Sequence, residues 1–102
     1  MQTSDVVERK VVKFEIDIGE TEKHRIAYQY NQLLGRLVIK INERPVKELI
    51  RLLNEPLLEV HEMTLGRFET STVRIEKERK ALFGHTNRLY VNNRLLRVYE
   101  SL

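Results

Sequence analysis

Hydrophobic and polar positions alternate with a period of two along most of this chain. Val12, Phe14, Ile16 and Ile18 share one face of a segment whose other face carries Lys13, Glu15 and Asp17. That spacing predicts a strand with one side buried and the other in water. Ile26, Tyr28 and Tyr30 repeat the pattern, and Leu37, Ile39 and Ile41 follow it opposite Val38 and Lys40. Further on, Val73 and Ile75 alternate with Thr72, Arg74 and Glu76, while Leu89 and Val91 face away from Tyr90. Core packing is the expected fate of the Ile26, Tyr28, Tyr30 stripe. Asn31 to Gly35 predicts a hairpin connection, and Asn42-Glu43 and Asn92-Asn93 suit tight turns because asparagine tolerates positive φ.

Residues 45–54 read two ways. Val46, Leu49, Ile50 and Leu53 fall at helical spacing behind Pro45, which favours a short helix there. The alternative is a strand from Leu49 to Leu53, a turn at Asn54-Glu55-Pro56 and a further strand from Leu57 to Val60. An internal echo favours the strand: Ile39-Lys-Ile-Asn-Glu-Arg-Pro-Val46 parallels Leu89-Tyr-Val-Asn-Asn-Arg-Leu-Leu96. Each half of the chain therefore carries one such hairpin.

Composition supports the pleated reading. Valine, isoleucine and threonine total 23 against 2 alanines, which starves helices of their best former. A length of 102 residues predicts one domain over 1–102, with residues 1–8 as a flexible N-terminus. The chain has no cysteine, so disulfides, thiolate nucleophiles and cysteine zinc sites are excluded. With no apolar run long enough for a membrane span or a secretory core, the expectation is a cytoplasmic protein with no membrane partner.

The run Arg88-Leu-Tyr-Val-Asn-Asn-Arg-Leu-Leu-Arg-Val-Tyr99 resembles the closing hairpin of the Fas apoptotic inhibitory molecule family. Leu37-Val-Ile-Lys-Ile-Asn-Glu43, Ile50-Arg-Leu-Leu-Asn-Glu-Pro-Leu-Leu-Glu-Val60 and Ser71-Thr-Val-Arg-Ile-Glu76 resemble earlier family segments in the same order. The resemblance covers roughly residues 24–99. It implies a β-sandwich of two antiparallel four-stranded sheets, which the strand pattern reaches independently, and a non-catalytic interaction module with no catalytic residues to carry over. This chain lacks the family's tryptophan, and its turns use asparagine and glutamate where the family has glycine.

Catalytic patterns are sparse. His24, His61 and His85 lie 37 and 24 residues apart, with no local metal-ligand spacing, and are expected as isolated surface or edge residues. Glu15 and Asp17 share a solvent face with Lys13, the serines form no nucleophile elbow, and four scattered glycines build no phosphate loop. The expectation is no enzyme, no metal and no cofactor.

Net charge is +3, and residues 67–102 carry eight cations against four carboxylates. Arg74, Lys77, Arg79, Lys80, Arg88, Arg94 and Arg97, with Tyr90, form a candidate basic and aromatic surface for nucleic acid, in which Phe83 is expected to belong to the core. Leu33, Leu34, Leu57 and Leu58 are the candidate apolar contact patches, because adjacent leucines on a strand cannot both face one core. The preferred functional reading is a protein-interaction module binding a protein partner or a second copy; nucleic-acid binding through 74–97 is the alternative.

Overall fold

A computed structural model describes residues 4–7, 10–51, 53 and 55–101. Nine antiparallel strands form two sheets, and no helix occurs among the described residues. The first sheet has the order β1 (Ser4–Val7), β2 (Val11–Ile18), β3 (His24–Asn31), β4 (Arg36–Ile41) and β5 (Arg44–Ile50). The second has the order β6 (Leu58–Leu65), β7 (Ser71–Arg79), β8 (His85–Val91) and β9 (Arg94–Ser101). Every strand pairs with its sequence neighbour, so each sheet is a simple meander. Ser4–Val7, expected in a loose N-terminus, instead pair with Val12–Glu15 as an edge strand.

The alternating faces pack against each other as a sandwich. Phe14, Ile26, Tyr28, Leu37 and Ile39 of the first sheet share one buried cluster with Val73, Ile75, Leu89 and Tyr99 of the second. The Phe14 ring stacks on Tyr28 at 5.0 Å and on Tyr99 at 4.8 Å, joining the layers. Residues 45–50 are strand, and the helical reading fails for a physical reason. β5 is an edge strand, pairs only with β4 and leaves Val46 and Ile50 exposed, so the apolar spacing there records no buried helix face. Of the proposed strand continuation, Arg51 and Leu53 lie in the connector rather than in β5, and residues 52 and 54 fall outside the described set.

The two halves are one scaffold used twice. Asn42 and Glu43 have φ of 50° and 70°, Asn92 and Asn93 of 52° and 65°, the geometry of matched two-residue hairpin turns. A bulge precedes each turn, at Ile39/Lys40 and at Leu89/Tyr90. In both turns the first asparagine ties to the neighbouring strand, since Asn42 Oδ1 accepts from Arg25 N and Asn92 Oδ1 from Thr72 N, each at 2.9 Å. The repeat also includes Gly19-Glu-Thr-Glu22 and Gly66-Arg-Phe-Glu69, whose glutamates lie 47 residues apart. Gly19 and Gly66 adopt φ of +93° and +101°, and a Cβ on either would collide with the carbonyl oxygen of Glu22 or Glu69.

Candidate functional site

Connectors meet at one end of the sandwich: residues 32–35, the described residues between β5 and β6 (51, 53 and 55–57) and residues 80–84. The pairings place them together, because Arg51 N bonds Gly35 O at 2.8 Å and Arg79 N bonds Leu57 O at 2.9 Å. Two of these connectors hold the same place in the repeat and each ends in two large apolar residues and a glycine, Leu33-Leu34-Gly35 and Leu82-Phe83-Gly84. Their apolar side chains stand out in solvent: Leu33 is 70% exposed, Leu34 58%, Leu82 85% and Phe83 74%. Phe83 is thus a rim residue and not the core residue its sequence context predicts. Both glycines have positive φ, which turns the chain immediately after each apolar pair. A cleft of about 330 Å³ opens beside these tips and reaches Tyr30, Glu55 and His85 inside.

Below the cleft the interior is polar, although the same scaffold positions in the first half are apolar. Aligning the repeats places Glu59 opposite Val12, His61 opposite Phe14, Lys77 opposite Tyr30 and Asn87 opposite Leu37. All four polar residues are buried. Lys77 Nζ lies 3.0 Å from Glu55 Oε2, 3.5 Å from Glu59 Oε1 and 4.0 Å from the centre of the Tyr30 ring. His61 Nε2 meets Glu59 Oε1 at 2.9 Å, and Arg51 Nε meets Glu59 Oε2 at 2.6 Å. Glu55 Oε2 also faces His85 Nε2 at 2.9 Å and accepts from the Tyr30 hydroxyl at 3.1 Å. Deeper in, the Tyr28 hydroxyl donates to Asn87 Oδ1 at 2.6 Å.

Burial and pairing compete at each of these groups. Burial opposes ionisation of Glu55 and Glu59, but Lys77 with His85 on one, and His61 with Lys77 on the other, outweigh it and hold both carboxyls below their ordinary value. Burial wins at His61 and His85, whose imidazoles are held below the usual histidine value despite their glutamate neighbours. It also raises the Tyr30 phenol, with the charge of Glu55 acting in the same direction. His61 Nδ1 and Asn87 Nδ2 are buried with no hydrogen-bond partner among the described residues. Orphaned groups of this kind cost about 1–3 kcal/mol each, which makes the polar interior expensive to keep.

The candidate basic surface does not form one face. Lys77 points inward and is 2% exposed, because it shares the parity of Val73 and Ile75 along β7. Arg74, Arg88 and Tyr90 lie on the outer face of the second sheet. There Arg74 sits 4.2 Å over the Tyr90 ring and bonds Glu76 at 3.0 Å, and Arg88 bonds Glu76 at 3.1 Å and Glu78 at 2.8 Å. Arg94 stands exposed beside the Asn92-Asn93 turn at the opposite end, and Arg97 is half-buried along β9 with Nη1 donating to Leu96 O at 3.2 Å. Arg79 and Lys80 belong to the cleft. The four candidate leucines fare differently: Leu33, Leu34 and Leu57 cluster in the connectors at the cleft end, and Leu58, which starts β6 beside them, faces outward.

The histidines correct a second expectation, since His61 and His85 are interior and only His24 is half-buried near the surface. Single-chain alternation misses the polar interior because lysine and glutamate at inward positions look like solvent residues. Superposing the two Gly-x-x-Glu motifs would have exposed it. Comparison of the chain with protein-family models, with curated proteins and with solved structures finds no match.

Proposed function

We propose that this chain is a non-catalytic protein-interaction module of the cytoplasm that docks a protein partner through its connector end. The observation that carries the reading is the display of Leu33-Leu34 and Leu82-Phe83, each more than half exposed, in two connectors at the same end, with Leu33, Leu82 and Phe83 lining one cleft. Exposed apolar side chains gathered at one end gain free energy by being covered, and a partner surface is what covers them. The polar groups below serve a scaffold role in this reading. Lys77 is matched by two carboxylates, and Glu55 is held by lysine, histidine and tyrosine, so none of them is poised as a free acid, base or nucleophile. The absence of cysteine suits a reducing compartment. The resemblance of residues 24–99 to the Fas apoptotic inhibitory molecule family points the same way.

Site-specific photocrosslinking in living cells tests it. A photoreactive phenylalanine placed at Phe83 or at Leu33 is expected to trap the same protein, and one placed at Gln29 on the outer face of the first sheet is not. Equal trapping from all three positions, or none from Phe83 and Leu33, removes the reading.

A further inference from the structure

We propose that the connector end takes an extended segment of its partner in which carboxylates flank one large apolar side chain. This rests on the docking reading above and adds what fits the site. The turns Gln32-Leu-Leu-Gly-Arg36 and Arg79-Lys-Ala-Leu-Phe-Gly-His85 contain no carboxylate. Around the cleft stand three cations, Arg51, Arg79 and Lys80. Among the described residues Glu55 is the one carboxylate lining the cleft, and Lys77, His85 and Tyr30 already hold it from inside, so it does not neutralise the rim. Arg79 makes no ion pair among the described residues. Among the described residues Lys80 pairs with the exposed Glu100 alone, at 3.7 Å, and Arg51 pairs through Nε with Glu59 alone.

The shape selects a polypeptide. At about 330 Å³ the cleft has room for one leucine- or phenylalanine-sized side chain between Leu33 and the Leu82-Phe83 tip. Carboxylates on either side of that residue in the partner would then reach the rim cations. A flat bilayer would touch the tips and leave the cleft between them unfilled. Cation-lined apolar slots recognise such alternating acidic and apolar segments through steering by charge and anchoring by the buried side chain.

Random dodecapeptides displayed on phage, selected on the full chain, test the inference. Enriched sequences are then synthesised and measured by fluorescence anisotropy. The expected winners carry Asp or Glu beside Leu, Ile or Phe. Their affinity is expected to fall about tenfold or more on Leu82→Asp with Phe83→Asp, to fall on Arg79→Glu with Lys80→Glu, and to weaken as salt rises. Leu82, Phe83 and Arg79 are exposed and Lys80 is half-buried, and circular dichroism confirms that both variant pairs fold. Winners that are basic or uncharged but still need Leu82 and Phe83 overturn the acidic segment and leave the docking end standing. Failure to enrich, or binding indifferent to Leu82 and Phe83, overturns both. In parallel, vesicles of phosphatidylcholine with phosphatidylglycerol are sedimented with the chain; capture that Leu82→Asp with Phe83→Asp abolishes assigns the end to a bilayer and overturns the proposal.

Discussion

Glu22 and Glu69 each hold the other's loop. The Glu69 Oε1 atom accepts from the backbone amides of Glu20, Thr21 and Glu22 at 2.8–2.9 Å, and the Glu22 carboxylate accepts from those of Arg67, Phe68 and Glu69 at 2.7–3.2 Å. The two repeats are thereby clasped at the end opposite the cleft. Three amides donating to one carboxylate favour its ionised form strongly, and the Phe68 and Arg67 amides hold Glu22 at a pKa of about 2. Glu69 is lowered by the amides of Glu22, Glu20 and Thr21. A carboxyl depressed in the folded state contributes stability that is full above its unfolded value and is lost as pH falls through the folded one. The melting temperature is therefore expected to drop between pH 4.5 and about 2, and Glu22→Gln is expected to flatten that slope while lowering the plateau. Thermal melts by circular dichroism across this window check it; parallel slopes for wild type and variant reject the clasp as a source of acid sensitivity.

The clasp depends on glycine at the loop entrance. Gly19→Ala and Gly66→Ala each force a Cβ onto a carbonyl oxygen at a positive φ. Each is expected to cost about 1–3 kcal/mol, measured by urea titration. Gly35→Ala, which also has positive φ but no such collision among the described residues, should cost less.

Lys77 offers a sharper test of the polar interior. Lys77→Met leaves buried Glu59 and half-buried Glu55 without their shared cation, and the expected loss is about 3–5 kcal/mol. Adding Glu55→Gln and Glu59→Gln is expected to restore more than half of that loss, because the penalty lies in the uncompensated charges. Chemical denaturation of the single and triple variants decides the matter. Equal losses in both would show that Lys77 matters through packing alone.

Histidine adds a second pH range. His61 and His85 are held below 6.5, so the fold prefers the neutral rings, and their contribution is complete above that value and declines as pH falls below it. Stability is expected to begin falling below pH 6.5, well before the carboxylates titrate. Proton NMR of the two ring resonances should give midpoints below that of an unfolded peptide. Midpoints above it would mean that Glu55 and Glu59 outweigh burial.

On the outer face of the second sheet, Arg74 and Arg88 are matched to Glu76 and Glu78. Titrating the labelled chain with a mixed-sequence oligonucleotide at physiological salt is expected to leave the amide shifts of residues 74–97 unmoved. Salt-resistant shifts at Arg88 and Tyr90 would reinstate nucleic acid as the ligand.

Much of the sheet architecture was legible because it is written locally. Alternation fixes the inward faces of β2, β3 and β4, and Asn42-Glu43 and Asn92-Asn93 announce turns that need positive φ. The site was less so, for two reasons. Inward Lys77, Glu59 and His61 break the rule that alternation relies on, since their burial is sustained by partners in other strands and in the 51–57 connector. Phe83 and Leu82 break it in the opposite sense, being apolar and uncovered. The leucines at 33 and 34 were readable as contact candidates because two adjacent apolar residues cannot both enter one core.

The meander order has a consequence for how the chain reaches this structure. Every strand pairs with the one beside it in sequence, so both sheets can grow hairpin by hairpin with short loops to close, which lowers the entropic barrier relative to interleaved sandwiches. The bonds between Glu22 and the 67–69 amides span 45 to 47 residues and join parts of the chain that no hairpin brings together. They belong to the docking of two preformed arrays, so weakening the clasp should chiefly speed unfolding, while damage to the asparagine turns should chiefly slow folding.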